Sequence, residues 1–164
     1  MTAEVRAPQP LATVHVVEGF ECGVSELNDW LRRRALANQF SGATRCFVAA
    51  DPAHRVVAYY ALAAGAAARE DATGAVRSNM PDPVPVIVLA RLAVDRSQQG
   101  RHLGTSMLQD AVQRVVGISR QVGARAMLVH ALDERAADFY RRYGFQDSPI
   151  QPKTLMLRLP GAKR

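Results

Sequence analysis

The chain has 164 residues, enough for one compact domain and short for two. Its 48% hydrophobic and 22% charged content is that of a folded globular protein and excludes a disordered or low-complexity class. A net charge of +6 favours anionic partners, nucleic acid or a phosphorylated cofactor, without choosing between them.

Met1 to Pro10 carries Glu4 and two prolines, which is not the basic and apolar pattern of a secretion signal. The longest nearly apolar run, Val56 to Ala68, falls short of the roughly 18 residues that span a membrane. Cys22 and Cys46 form no CxxC pair and have no histidine cluster beside them, so neither a disulfide scaffold nor a metal site is expected. The expectation is a single domain over residues 1–164, soluble and cytoplasmic, with no membrane partner.

Thr13 to Val17 reads as a short strand with Val14 and Val16 on one face. After a turn over Phe20 to Val24, Ser25 is placed to cap a helix whose Leu27, Trp30, Leu31 and Ala35 form a buried stripe. Arg32 and Arg33 point away from that stripe and Arg34 lies at its edge. They are either a solvated face or a phosphate-binding surface. Cys46–Ala50 and Val56–Ala63 read as two strands joined by the turn Asp51 to Arg55. Gly65 to Pro85 is alanine-rich and then proline-rich, which predicts a short helix or irregular loop on the substrate side.

Val86 to Val94 is an apolar strand that empties into a polar turn holding Gly100 and Gly104, and a patterned helix follows at once. Met107, Leu108, Ala111, Val112, Val115 and Val116 give that helix its apolar face, ending near Gly123. A helix start concentrates unpaired N–H groups and the positive end of the dipole, which suits a phosphate. Spacing alone also fits an ordinary strand–turn–helix connection. Neither G-x-x-x-x-G-K-[ST] nor G-x-G-x-x-G is present.

Ala124 to Leu132 reads as a central strand, and Asp133 or Glu134 opens a helix over Arg135 to Tyr143 closed by Gly144. Tyr143 is expected in the core. Phe145 starts a further strand, and Leu155–Leu159 is the last. The order is mixed α/β with a strand–helix–strand crossover in its middle.

Gln99-Gly-Arg-His-Leu-Gly104 resembles motif A of the GCN5-related N-acetyltransferases (GNAT), Q/R-x-x-G-x-G/A, with His102 in place of the middle glycine. Ala136-Ala-Asp-Phe-Tyr-Arg-Arg-Tyr-Gly-Phe145 resembles motif B, A-x-x-F-Y-x-x-x-G-F, at every specified position. The resemblance implies a GNAT fold: an α/β domain with a mixed central sheet, a splayed strand pair and helices on both faces. It implies acetyl-CoA as co-substrate, its pyrophosphate held by Gln99, Gly100, Arg101, His102, Leu103, Gly104 and Thr105. Its pantetheine arm would lie along Leu92, Ala93 and Val94, with Ala136 and Phe139 also on the cofactor side.

In the chemistry so implied, an amine attacks a thioester, an oxyanion forms and a thiolate departs. Tyr140 stands where the family places its proton donor, although aromatic packing is the simpler reading of Phe139-Tyr140. No general base stands out; His102 and His130 are the alternatives, read first as loop and strand positions. A lysine amine, with pKa about 10.4, would need one, whereas an α-amino group at about 7.7–8.0 is already partly free.

Phe20 to Leu31, Gly42 to Val48, Met80 to Val86 and Leu89 to Asp95 resemble acetyltransferase toxins of type II toxin–antitoxin modules. That likeness implies transfer of acetyl to the α-amino group of aminoacyl-tRNA, which blocks translation. It also implies a ribbon-helix-helix antitoxin that binds operator DNA as partner, and it leaves open whether the chain forms a homodimer. Arg32, Arg33, Arg34, Arg45, Arg77 and Arg91 become candidate tRNA contacts, Arg91 alternatively pairing with Asp95. Two other readings stay open: an acetyltransferase for a small amine or a protein N-terminus, and a catalytically inactive basic nucleic-acid-binding module.

Overall fold

A computed structural model describes residues 4–161. Seven strands pair in the order β1-β2-β3-β4-β5-β7-β6, with ranges Gln9–Pro10, Arg45–Ala50, Val56–Ala67, Val84–Val94, Ala126–His130, Gln146–Asp147 and Thr154–Arg158 for β1 to β7. The sheet is mixed: β4 and β5 are parallel, whereas β1–β2, β2–β3, β5–β7 and β6–β7 are antiparallel. Five helices accompany it among the described residues: α1 Ser25–Arg33, α2 Ala35–Ser41, α3 Gly74–Arg77, α4 Leu103–Ser119 and α5 Glu134–Arg142. This is the α/β architecture with a mixed central sheet that the sequence predicts. The chain groups into two compact units. The first takes in the chain up to Ala63 together with Ala90–Ala111, the second Ala64–Leu89 together with the chain from Val112.

In the first unit, successive residues of β3 serve opposite faces of the sheet, as the two-residue period of a strand requires. Tyr59 stacks on Trp30 of α1 with ring centroids 5.7 Å apart and donates its hydroxyl to the Leu27 carbonyl at 2.7 Å. Tyr60 stacks on Phe47 at 5.2 Å and donates to the Asp110 carboxylate of α4. Helices therefore cover both faces. Trp30, Leu31, Ala35, Phe20 and Tyr59 form one buried cluster, so the predicted stripe of α1 does reach the core.

The second unit has its own core, in which Val76 of α3 packs with Val84, Val86, Ala126, Leu128 and Met156. Arg125 closes it at one edge: its guanidinium donates to the carbonyls of Val76, Ala75 and Ser78, the orphan acceptors at the end of α3. The segment read as a short helix or loop contains both α3 and a 3-10 turn over Arg69–Asp71. The parallel ladder pairs Val86–Leu89 with Ala126–Val129, and Ala90–Val94 of β4 lie beyond it.

Several local expectations are corrected. Thr13–Val17 is no strand: Val14 and Val16 are 53% and 41% exposed, and only Val16 makes an isolated bridge, to Arg55. A turn wins because the Ala12 N–H donates to His15 Nδ1 and the His15 N–H to the Ala12 carbonyl. The edge strand is instead Gln9–Pro10, with proline at a sheet edge as its missing donor demands.

Ser25 does not cap α1 either. Val24 holds the cap position, and Ser25 is the first helical residue. The predicted single helix through Ala35 breaks at Arg34 (φ −120°), and the apolar stripe continues onto α2. β4 opens with Val84-Pro85, so one proline of the loop lies inside a strand, as its second residue. α4 stops at Ser119, short of Gly123, and β5 at His130, short of Leu132. Phe145 is buried but sits ahead of β6. Tyr143 is 38% exposed, outside the core.

Candidate active site

The turn between β4 and α4 is built by its own side chains. Asp95 accepts from the Ser97 N–H at 3.0 Å and Ser97 Oγ at 2.7 Å, and also from the Glu21 N–H at 2.8 Å. Burial opposes ionisation of Asp95, yet the hydrogen bonds from Ser97 and Glu21 prevail and hold its carboxyl below the ordinary range. The Arg96 N–H returns to the Glu21 carbonyl at 2.8 Å. Gln99 completes the weave, its Nε2 donating to the Cys22 and Val94 carbonyls, both at 2.9 Å. Gln99 therefore acts through its side chain as a brace between the strand end and the turn ahead of α1.

Past Gln99 the backbone enters the left-handed region twice, at Gly100 (φ 77°) and His102 (φ 63°). His102 thus takes a conformation that glycine adopts most readily, and histidine is among the side chains that tolerate it best. The ladder of α4 starts with Ser106 N–H to His102 O at 3.1 Å, so the amides of Leu103 and Gly104 lie ahead of the first helical bond. A Cβ at Gly104 would meet Val94 Cγ2 at 3.7 Å, ordinary contact, so packing within the protein does not demand glycine there. Close approach of a ligand to the backbone would. The outer side of the turn lends Asp95, Ser97, Gln98 and Arg101 to a pocket of about 500 Å³ that Asp51 and Arg55 also line.

Leu92 and Val94 are half-buried at the end of β4, and Ala93 is buried in the first core. Arg91 lies with its guanidinium carbon 4.7 Å from the Trp30 ring centroid, a cation–π contact. Asp95 takes its hydrogen bonds from Ser97 and Glu21, so the alternative pairing of Arg91 with Asp95 is not formed.

Tyr140, Ala136 and Phe139 lie on α5, in the second unit. Of the two residues from which the sequence opens this helix, Asp133 caps it by accepting from the Ala136 N–H at 2.8 Å. Gly144 (φ 93°) follows its C-cap, Tyr143. Tyr140 packs edge-on against Phe139 at 5.3 Å and Phe145 at 5.5 Å, and burial pushes its phenol above the ordinary value. It is 7% exposed. Tyr59 and Tyr60 both hand their hydroxyls to internal acceptors, whereas the Tyr140 hydroxyl has no protein partner among the described residues. The same helix is fastened by Arg141, which bonds Asp147, Asp138 and Glu134.

Of the candidate tRNA contacts, Arg33 and Arg34 are exposed. Arg32 donates to the Phe20 carbonyl and Arg45 to the Gln39 carbonyl at 2.6 Å, so both also hold the local backbone in place. Arg77 is exposed on α3, in the second unit. The pocket holding Glu26 and Asp29 beside Trp30 was not legible in the sequence, where those carboxylates look like ordinary helix-surface charge. Among the described residues, no group of three or more His, Cys, Asp or Glu is placed to hold a metal ion, and no helix is long and apolar enough to cross a membrane.

The Acetyltransferase (GNAT) domain family matches residues 42–147, which includes parts of both units. A "tRNA-acetylating toxin" of Mycobacterium tuberculosis is 50% identical over 157 residues, covering 96% of this chain and 94% of that protein. The structure of AtaT complexed with acetyl-methionyl-tRNAfMet superposes with a TM-score of 0.87 at 25% identity, covering 94% of this chain and 95% of that one. The KacTA-DNA complex matches with a TM-score of 0.78 at 28% identity, covering 94% and 93%. With a family match over most of its length, a half-identical relative and the motif A turn in place, the chain belongs to the GNAT acetyltransferases, enzymes that take their acetyl group from acetyl-CoA.

Proposed function

We propose that this chain is a toxin that transfers acetyl from acetyl-CoA to the α-amino group of aminoacyl-tRNA and so stops translation. The observation that carries the substrate is the 50% identity, over nearly the whole chain, to a tRNA-acetylating toxin. The likeness to AtaT complexed with acetyl-methionyl-tRNAfMet points the same way. Gly100 to Thr105, with two left-handed residues ahead of a helix start, supports pyrophosphate binding there. The thioester then falls to Leu92–Val94, whose backbone amides supply donors for the oxyanion.

The balance of the reaction assigns work to few side chains. The free amine attacks the thioester carbon, the C–S bond breaks and the amine's proton ends on the coenzyme thiol. The Tyr140 hydroxyl, protonated at every working pH, donates a hydrogen bond to the departing sulfur, and its lack of an internal acceptor favours that role. No base is required, because an α-amino group of pKa about 7.7–8.0, lowered further by esterification of its carboxyl, is largely free at neutral pH.

The partner, by the same resemblance, is a ribbon-helix-helix antitoxin that also binds operator DNA, and the likeness to the KacTA-DNA complex supports it. Assembly as a homodimer in the cytoplasm completes the proposal. Labelled acetyl-CoA incubated with charged and uncharged total tRNA tests the substrate. Label should enter only the charged sample and leave with mild alkali. Efficient labelling of polyamines or peptides, with charged tRNA untouched, would move the assignment to the small-amine or N-terminal enzyme.

A further inference from the structure

Glu26, Asp29, Trp30, Arg33, Arg34 and Arg91 line a pocket of about 500 Å³ in the first unit. Five come from α1 and the residue that follows it, at the i, i+3, i+4, i+7 and i+8 spacing that puts them on one helix face. The sixth comes from β4, next to Leu92. The pocket holds both signs of charge, three guanidiniums and two carboxylates. Asp29 and Arg33 are even at the i, i+4 spacing that favours an ion pair, yet neither they nor Glu26 and Arg34 have a hydrogen-bond or salt-bridge partner among the described residues. Opposite charges share one cavity without neutralising each other by contact.

Arg91 is fixed differently. Its guanidinium lies over the Trp30 ring, and that ring is 8% exposed and stacked on buried Tyr59. The contact holds the guanidinium at the pocket, and its N–H groups make no hydrogen bond or salt bridge among the described residues, which leaves them as donors for a phosphate. A phosphate alone would be repelled by Glu26 and Asp29, and an amine alone by the three arginines. A ligand carrying both an ammonium and a phosphodiester satisfies both sets.

We infer that this pocket seats the 3′-terminal aminoacylated nucleotide of the acceptor. Glu26 and Asp29 accept hydrogen bonds from the N–H groups of the α-amine, which attacks in its free form, and Arg33, Arg34 and Arg91 take the adjoining phosphate. The inference rests on the aminoacyl-tRNA reading and refines it. It makes the two carboxylates the feature that distinguishes charged from uncharged RNA, and Arg91 the positioning residue for the terminal phosphate. It also means that much of the recognition is independent of the tRNA body.

The test uses the full chain with three acceptors: charged tRNA, an aminoacylated cytidylyl-adenosine dinucleotide, and an aminoacyl-adenosine that lacks the phosphodiester. The wild-type protein should acetylate the dinucleotide. Loss of one charge-assisted hydrogen bond should raise its KM by about 10- to 100-fold in Asp29→Asn and in Arg91→Lys, and loss of both carboxylates in Glu26→Gln with Asp29→Asn should raise it further. Acetyl-CoA affinity, read by calorimetry, should stay the same. Arg91→Lys should not alter the KM of aminoacyl-adenosine, because that acceptor has no phosphate to lose. Trp30→Phe, which keeps a ring in the core, should produce a smaller version of the Arg91→Lys effect. If charged tRNA is acetylated and these variants leave the dinucleotide KM unchanged, the pocket assignment is wrong while the activity stands. If the wild-type protein does not acetylate charged tRNA, the activity itself fails.

Discussion

At the residue scale, a few side chains take their role from their neighbours. Three buried tyrosines are chemically alike, but only Tyr140 leaves its hydroxyl unspent. Tyr140→Phe keeps the ring packed on Phe139 and Phe145, so the fold should survive while acetyl transfer falls by about 10²–10⁴-fold, the scale of lost general acid catalysis. An unchanged turnover with chemistry rate-limiting would remove Tyr140 from the mechanism. His102 gives a second check. At φ 63° a glycine is at ease and a β-branched residue is not. His102→Gly should retain acetyl-CoA binding, whereas His102→Val should weaken it and destabilise the protein by about 1–3 kcal/mol of backbone strain. Equal behaviour of the two variants in calorimetry and thermal unfolding would show that the conformation at this position does not matter. Burial also pushes the Cys46 thiol up to about 12, so this cysteine should resist alkylation in the native state.

At the element scale, the turn from β4 into α4 is held by the segment ahead of α1. Asp95 and Gln99 reach back to Glu21 and Cys22, so the turn proposed to bind phosphate and the segment ahead of α1 form one braced unit. Asp95→Ala should loosen both. Acetyl-CoA affinity should drop, and amide exchange should quicken at Glu21 and Ser97 together, whereas quickening at only one of them would contradict the shared brace. Because the folded Asp95 carboxyl titrates below its ordinary value of about 3.9, its contribution is complete above that pH and disappears as pH falls through the folded value. The stability gap between wild type and Asp95→Ala should therefore be constant at neutral pH and close in acid. This brace was invisible in the sequence, because Glu21–Asp95 and Cys22–Gln99 pairings join residues more than 70 positions apart. Local pattern, by contrast, was a good guide wherever one face is buried. The stripe Leu27, Trp30, Leu31 and the Asp133 cap both stand where periodicity and cap chemistry place them. It misled at Thr13–Val17, where alternating valines met no core and a histidine hydrogen bond made a turn.

At the scale of the whole molecule, the sequence motifs point to the family and its co-substrate, and the acceptor side is marked only by composition. Gln99 to Gly104 and Ala136 to Phe145 carry fixed spacings, because a left-handed turn ahead of a helix start and an aromatic helix face leave little freedom. The acceptor surface depends on which arginines three-dimensional packing leaves uncommitted, and Arg32 and Arg45 turn out to be tied to backbone carbonyls. With a net charge of +6 behind it, use of charged tRNA should weaken steeply as salt rises. Replacing Arg33 and Arg34 should flatten that dependence by about one log unit for each phosphate no longer neutralised, while acetyl-CoA binding persists. A salt slope that the double replacement leaves unaltered would place the tRNA elsewhere. The central claim is that acetyl lands on the α-amino nitrogen of an amino acid esterified to tRNA. Nuclease digestion of charged tRNA after reaction, followed by mass spectrometry of the released aminoacyl-adenosine, tests it most directly. The new species should be N-acetyl-aminoacyl-adenosine, absent with uncharged tRNA and absent with Tyr140→Phe over the same time. Acetyl found on a base, on a ribose hydroxyl or on no nucleoside at all would contradict it.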